Sequence, residues 1–246
     1  MTMSLAAALA HLLVAQAGQD SDRIYAGLAE KYRVEFLEAQ GRDLPSGFDR
    51  HPDIHWTAAD ADARREYARL IAEEMGRYPA RLVELSGLKR VVVCADLTSQ
   101  GKAVGGRSDP GTIWLNAKAE NARLKRRLFH HEFFHLLEFN QIPPGGFSNQ
   151  FLVEWESICG REAYDATSSA ADPRKEGFIN YYARKNPSED RAEIYSMLLV
   201  MNKELKIIRS LDVKVDLKAN LIQKHILISC PQIGERFWSM PPSPVE

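Results

Sequence analysis

Cysteine is scarce in this chain: Cys94, Cys159 and Cys230 stand far apart among 246 residues. An odd count permits at most one internal disulfide, so a disulfide-held scaffold is excluded, and the three thiols suit an oxidising or a reducing compartment equally. An excess of charge is missing too, with 32 Lys and Arg against 33 Asp and Glu and a formal net charge of -1. That balance argues against a nucleic-acid binder, whose basic face would show in the composition. The longest basic run is Lys125-Arg126-Arg127, which is expected to form the solvated face of a helix. No apolar stretch reaches the roughly 18 residues that span a bilayer, so no transmembrane segment is expected. Internal repeats and low-complexity tracts are absent as well.

With 45% hydrophobic residues, the chain can build one large globular domain or two small ones around a substantial core. Residues 5–14 are apolar apart from His11, and Ala15-Gln16-Ala17 offers a small-x-small cleavage site. The first 19 residues lack Lys and Arg, so the basic start of an export signal is missing. Residues 1–17 are read as a candidate signal peptide, which leans toward a periplasmic or secreted protein; the alternative is an Ala/Leu-rich helix packed on the domain.

The stretch RRLFHHEFFHLLEF contains the spacing H-E-x-x-H in His131-Glu132-Phe133-Phe134-His135. On an α-helix each residue turns by roughly 100°, which brings His131 and His135 onto one face, a turn apart, where both imidazoles reach one metal ion. Glu132 sits beside that face, within reach of a water on the metal. Leu124, Leu128, Phe133, Leu136, Leu137 and Phe139 give the helix an apolar surface to bury, with Phe133 and Phe134 expected in the core. His130 points away and is expected to pack or to support a ligand.

Elsewhere the chain offers a helix and then an extended piece around Tyr32-Arg33-Val34-Glu35-Phe36, followed by a turn-rich connection over residues 41–53. An amphipathic helix follows, capped by Thr57 or Asp60 and running to Met75, with Pro79 as a stop. Arg90-Val91-Val92-Val93-Cys94 is the strongest buried strand and Thr112-Ile113-Trp114-Leu115 the next, with residues 101–111 between them read as a turn or loop. Thr112–Asn116 is also the candidate edge strand for an extended peptide. After a break at Pro143-Pro144-Gly145-Gly146, a short helix around Trp155 precedes an irregular polar stretch. His225 is expected at the surface.

In GFINYYARKNPSEDRAEIYSMLL, Asn186 reads as an N-cap with Pro187 at the first helical position. Glu189, three residues after the cap, has two readings. It completes a capping box, or it is the third ligand that a two-histidine zinc site needs. Glu193, one turn on, is then placed to hydrogen-bond the far nitrogen of a ligand histidine. Glu138 lies too far along the first helix to share the ion and reads as a structural acid.

Together, HHEFFHLLEF and FINYYARKNPSEDRAE resemble the paired motifs of the bacterial family named putative zinc-binding metallopeptidases. These are gluzincins, distantly similar to the protease domain of anthrax lethal factor, and the resemblance extends over about residues 23–240. It implies an α+β, zincin-like single domain with a small sheet, an active-site helix and a later Glu-bearing helix. It also implies one zinc ion per chain held by His131, His135 and Glu189, with Glu132 as general base. Tyr182 matches a tyrosine that steadies the oxyanion, and its register with Asn186 favours it over Tyr181. Glu193 matches the second acid of an E-x-x-x-E pair. Arg191 departs from the family, which often has an aromatic residue there. The expected activity is zinc-dependent endopeptidase action on a peptide or protein substrate. The rivals are a non-catalytic zinc-stabilised peptide-binding module and a zinc hydrolase of a non-peptide amide.

Overall fold

The computed structural model describes residues 22–38, 53–140 and 149–239. The candidate signal peptide, nearly all of the turn-rich connection and the Pro143-Pro144-Gly145-Gly146 break lie outside them. The described residues form an α+β fold with a small mixed sheet, as expected. They divide into two compact units, one within residues 1–80 and 88–126, the other within 81–87 and 127–246.

In the first unit, helix α1 (residues 22–32) stops where Arg33 takes a left-handed φ of 57°. Strand β1 (Glu35–Glu38) therefore starts three residues later than the alternation at Tyr32 suggests. Tyr32 instead points its hydroxyl at the carbonyls of Met75 and Tyr78, 2.5 and 3.2 Å away. Helix α2 (Ala61–Gly76) is capped by Asp60, whose carboxylate accepts from the Ala63 amide at 2.8 Å, and it buries Tyr67, Leu70, Ile71 and Met75.

The sheet is built on β3 (Arg90–Ser99), whose Val91 to Ala95 are all buried. Its first half pairs in parallel with β1 and with β6 (Thr112–Asn116), and its second half pairs antiparallel with β2 (Ile54–Thr57) and β4 (Lys102–Ala103). Strand β5 (Gly106–Asp109) then pairs antiparallel with β6, giving the order β1-β3-β6-β5. Two expectations are corrected here. Residues 101–111 hold two short strands rather than a loop. Thr112–Asn116 is an interior strand with both edges paired, so it cannot receive another strand, and Thr112 to Leu115 are buried. Ile54, Val92, Cys94, Leu97 and Trp114 form the apolar cluster of this sheet, where full burial of one such side chain contributes roughly 1.5–3 kcal/mol.

The basic run is not a solvated face. Lys125 and Arg126 are buried against acids of α2, with Lys125 Nζ 2.8 Å from Glu66 and Arg126 paired with Glu73 and Glu74. Arg127, which falls in the second unit, pairs with Glu193. Buried cations survive because each has a carboxylate partner.

The second unit is helical. Helix α3 (Ala80–Ser86), all but its first residue in this unit, ends at Gly87, where φ is +64° and the Asn140 side chain fills the space a Cβ would need. That side-chain amide donates to the Ser86 carbonyl. Then come α4 (Ala122–Phe139, in this unit from Arg127 on), α5 (Asn149–Cys159), α6 (Pro187–Val200), α7 (Asn202–Leu211), α8 (Val213–Ser229) and α9 (Glu235–Ser239). Two 3-10 turns, Arg161–Ala163 and Ala183–Lys185, interrupt the otherwise irregular path between α5 and α6. Helix α6 is the centre of the unit, buried from Asp190 to Val200 without a gap, and it packs against α7 and α8. Phe133 and Phe134 are fully buried, with the Phe134 ring tilted against that of Tyr195, their centroids 5.0 Å apart. Phe139, expected on the buried face, is 56% exposed because it closes the helix. His130 is buried with its ring against Tyr195, one of its two expected places. His225 is buried rather than exposed, because α8 packs on α5 and sets that ring 4.8 Å from Phe151.

Candidate metal centre

The start of α6 is set locally. Asn186 is extended (φ -165°), and its side-chain oxygen accepts from the Ser188 and Glu189 amides, each at 3.0 Å, with Pro187 at the first helical position. The Glu189 carboxylate, one turn into the helix, faces the histidines of α4.

One turn of α4 separates His131 from His135, and their Nε2 atoms lie 3.1 Å apart. Glu189 Oε2 stands 2.9 Å from His131 Nε2 and 3.6 Å from His135 Nε2. Three ligand-type atoms thus form a small triangle. Around a tetrahedral zinc with bonds of about 2.0–2.1 Å, ligand atoms stand roughly 3.3–3.4 Å apart, so the spacing and the donor set fit that ion. Among the described residues these three are the one group of His, Cys, Asp or Glu so placed.

The electrostatics agree. Burial opposes charge on both imidazoles, yet the neighbouring carboxylates outweigh it and lift His131 to about 10 and His135 to about 9. For His131 the carboxylates are Glu189 and Glu193; for His135 they are Glu138 and Glu189. Glu189 is held well below the usual carboxylate range by the two imidazoles, against its burial, and Glu193 is brought down to about 2 by His131 and Arg127. So much negative charge around two imidazoles suits a divalent cation, whose binding displaces the protons the histidines otherwise hold.

Glu193 sits where expected, with Oε1 3.0 Å from His131 Nδ1. Its other oxygen accepts from Arg127 and from the Asn180 amide. Glu138 reaches the far side of His135, with Oε2 3.6 Å from Nδ1, and also accepts from Ser188 and Arg191. Glu132 is buried beside His131, and its charge acts on both imidazoles. Tyr182 precedes the Ala183–Lys185 turn, its ring 6.0 Å from that of His131. Burial, then the charges of Glu189, Glu132 and Glu193, push its phenol up, so it keeps its proton at neutral pH and can donate it in a hydrogen bond. Tyr181 is the more exposed of the pair. Asn180, Ser188 and Arg127 were not anticipated. Their residue types carry no metal-site signal, and only their contacts identify them, Ser188 with His135 and both Arg127 and Asn180 with Glu193.

Residues 113–229 match the model of a protein family described as "Putative zinc-binding metallo-peptidase". That span carries both segments on which the resemblance was drawn. Among solved structures, the "putative zinc-binding metallo-peptidase from Bacteroides caccae ATCC 43185" shares the fold, with a TM-score of 0.60 over 91% of this chain and 90% of that one at 17% identity. No curated protein matches the chain.

Proposed function

Starting from a chain whose residues 113–229 match a zinc-binding metallo-peptidase family, we propose that this protein is a zinc-dependent endopeptidase of the gluzincin type. It holds one zinc ion through His131, His135 and Glu189. The observation that carries this reading is the convergence of those three side chains, with the Glu132 carboxylate beside them on α4. Zinc in that position supplies a Lewis acid for a scissile carbonyl and brings the pKa of a water toward about 7. Glu132 takes a proton from the attacking water and later gives it to the leaving amine. Tyr182 donates a hydrogen bond to the carbonyl oxygen as it gains negative charge. Glu193 accepts the Nδ1 proton of His131, which fixes the tautomer that presents Nε2. Arg127 and Asn180 keep that carboxylate in place and ionised.

The test is a peptide-library digest read by mass spectrometry, comparing zinc-loaded protein with its Glu132→Ala variant. Cleavage by the wild type alone, with equal zinc in both, is expected. Cleavage by both removes Glu132 from the base role. Cleavage by neither, with about one zinc per chain in each, moves the assignment to a peptide-binding module or to a non-peptide amide substrate.

A further inference from the structure

The two histidines of the site are steadied from opposite ends of one short helical segment. Residues 188, 189, 191 and 193 of α6 all engage α4. Ser188 touches His135, Glu189 faces both Nε2 atoms, Arg191 pairs with Glu138, and Glu193 touches His131. The last contact orients His131. The corresponding device for His135 is built from Ser188, Glu138 and Arg191. From this geometry we infer that Glu138 and Arg191 are positioning residues, acting through Ser188 to hold His135 in the tautomer and orientation that present its Nε2. The inference rests on reading His131, His135 and Glu189 as the zinc site.

The argument is one of hydrogen-bond polarity. A neutral imidazole that offers its lone pair at Nε2 carries its proton on Nδ1 and needs an acceptor there. His135 Nδ1 lies 3.2 Å from Ser188 Oγ. A hydroxyl can donate or accept, so by itself it does not choose a tautomer. Ser188 has only one proton, however, and Glu138 Oε2 takes it at 2.7 Å. An ionised carboxylate accepts and cannot donate. The Ser188 oxygen is thereby left to accept from Nδ1–H, and the direction of the chain His135, Ser188, Glu138 is settled.

That logic requires the Glu138 carboxylate to stay in place. Arg191 holds it there, donating from Nε to Glu138 Oε1. Its guanidinium sits against the rings of Phe151 and Trp155, 5.9 and 5.7 Å from their centroids, which helps to hold it. Both side chains are mostly shielded from solvent, 9% exposed for Arg191 and 13% for Glu138, so water does not compete strongly for the pair.

The experiment measures zinc affinity of the full chain by competition with a chromogenic chelator. Its variants are Glu138→Gln, Arg191→Met, Arg191→Lys and Ser188→Ala, each checked for native circular dichroism, with Glu189→Ala as control. Glu138→Gln is the sharpest probe, because a glutamine can turn an N–H toward Ser188 and release the hydroxyl proton toward Nδ1. It, Arg191→Met and Ser188→Ala are each expected to weaken zinc binding by roughly 10- to 100-fold, the usual effect of losing such a partner. Arg191→Lys, which keeps the charge, should recover part of that loss, a rescue that mere space-filling by Arg191 would not give. The proposal is overturned if all three bind as tightly as the wild type while Glu189→Ala loses the metal; the zinc site then stands and the clamp does not. If Glu189→Ala binds as tightly as the wild type, or the wild type binds no zinc, the site reading itself fails and takes the clamp with it.

Discussion

Replacing Lys218 with methionine should destabilise the protein by about 3–5 kcal/mol at neutral pH, the typical cost of removing one partner from a buried ion pair. The ammonium is fully buried, 2.6 Å from Asp190 Oδ2 and 2.7 Å from the Gly177 carbonyl, and 4.3 Å from the centre of the Phe178 ring. Asp190 follows Glu189 on α6 and is equally buried. Without Lys218 its carboxylate keeps one hydrogen bond, from Tyr164 at 2.9 Å, while Oδ1 already has no partner among the described residues. The carboxyl can escape by taking up a proton, which caps the cost. Burial already pushes it up to about 6, against the pull of Lys218 and Tyr164. An acid whose folded-state pKa is raised stabilises the fold at low pH and loses that contribution as pH rises through the folded value. In Lys218→Met the window shifts further upward, so the penalty relative to wild type should grow between about pH 5 and pH 8. Urea unfolding across that range is the assay. For a chain of this size the neutral-pH loss corresponds to a melting point lower by roughly 6–20 °C. The double variant Asp190→Leu/Lys218→Met should recover much of it, since an apolar pair leaves no charge behind. A loss under about 1 kcal/mol for the single variant, or a double variant no better than the sum of the singles, would refute this account.

Two further outcomes are expected. Tyr182→Phe should lower turnover by roughly 10²–10³-fold while zinc content stays unchanged; steady-state kinetics beside metal analysis decides it, and an unaffected rate returns Tyr182 to packing. Asp212→Ala should cost about 1–3 kcal/mol in urea unfolding, because this carboxylate caps α8 through the Val215 amide and also accepts from the Gly177 amide and Arg174. Its carboxyl is held below the ordinary value by those donors, against its burial. The contribution is therefore present above the unfolded-state pKa and disappears as pH falls through the folded one, so the two proteins should converge in stability under acid.

Where the sequence was readable, the governing physics is local. The i, i+4 spacing of His131 and His135, the Asn186 cap with Pro187, and the apolar run at Val91 to Cys94 each depend on neighbours within a turn or a few residues. All three appear in the structure as read. Where the reading went astray, the deciding partner lies outside the stretch being read. Thr112 to Leu115 lie in a strand as expected, but their place inside the sheet depends on β5, just before them in a stretch whose Gly, Ser and Asp look like loop. Lys125-Arg126-Arg127 looks solvated until Glu66, Glu73, Glu74 and Glu193 come into view. His225 looks exposed until α8 packs on α5 and sets its ring against Phe151.

The same division holds at the site. By itself the sequence determined that His131 and His135 share one face of α4, because a helix converts spacing into direction with no help from the rest of the chain. It could not choose between ligand and capping box for Glu189, since either role is consistent with the third position after a cap. Only the tertiary structure brought Glu189, 58 positions after His131, to 2.9 Å from that imidazole. It alone also paired Arg191 with Glu138 and Arg127 with Glu193. Those pairings arise because α6 is buried from Asp190 onward, and a charge buried there must take its partner from whichever helix packs against it.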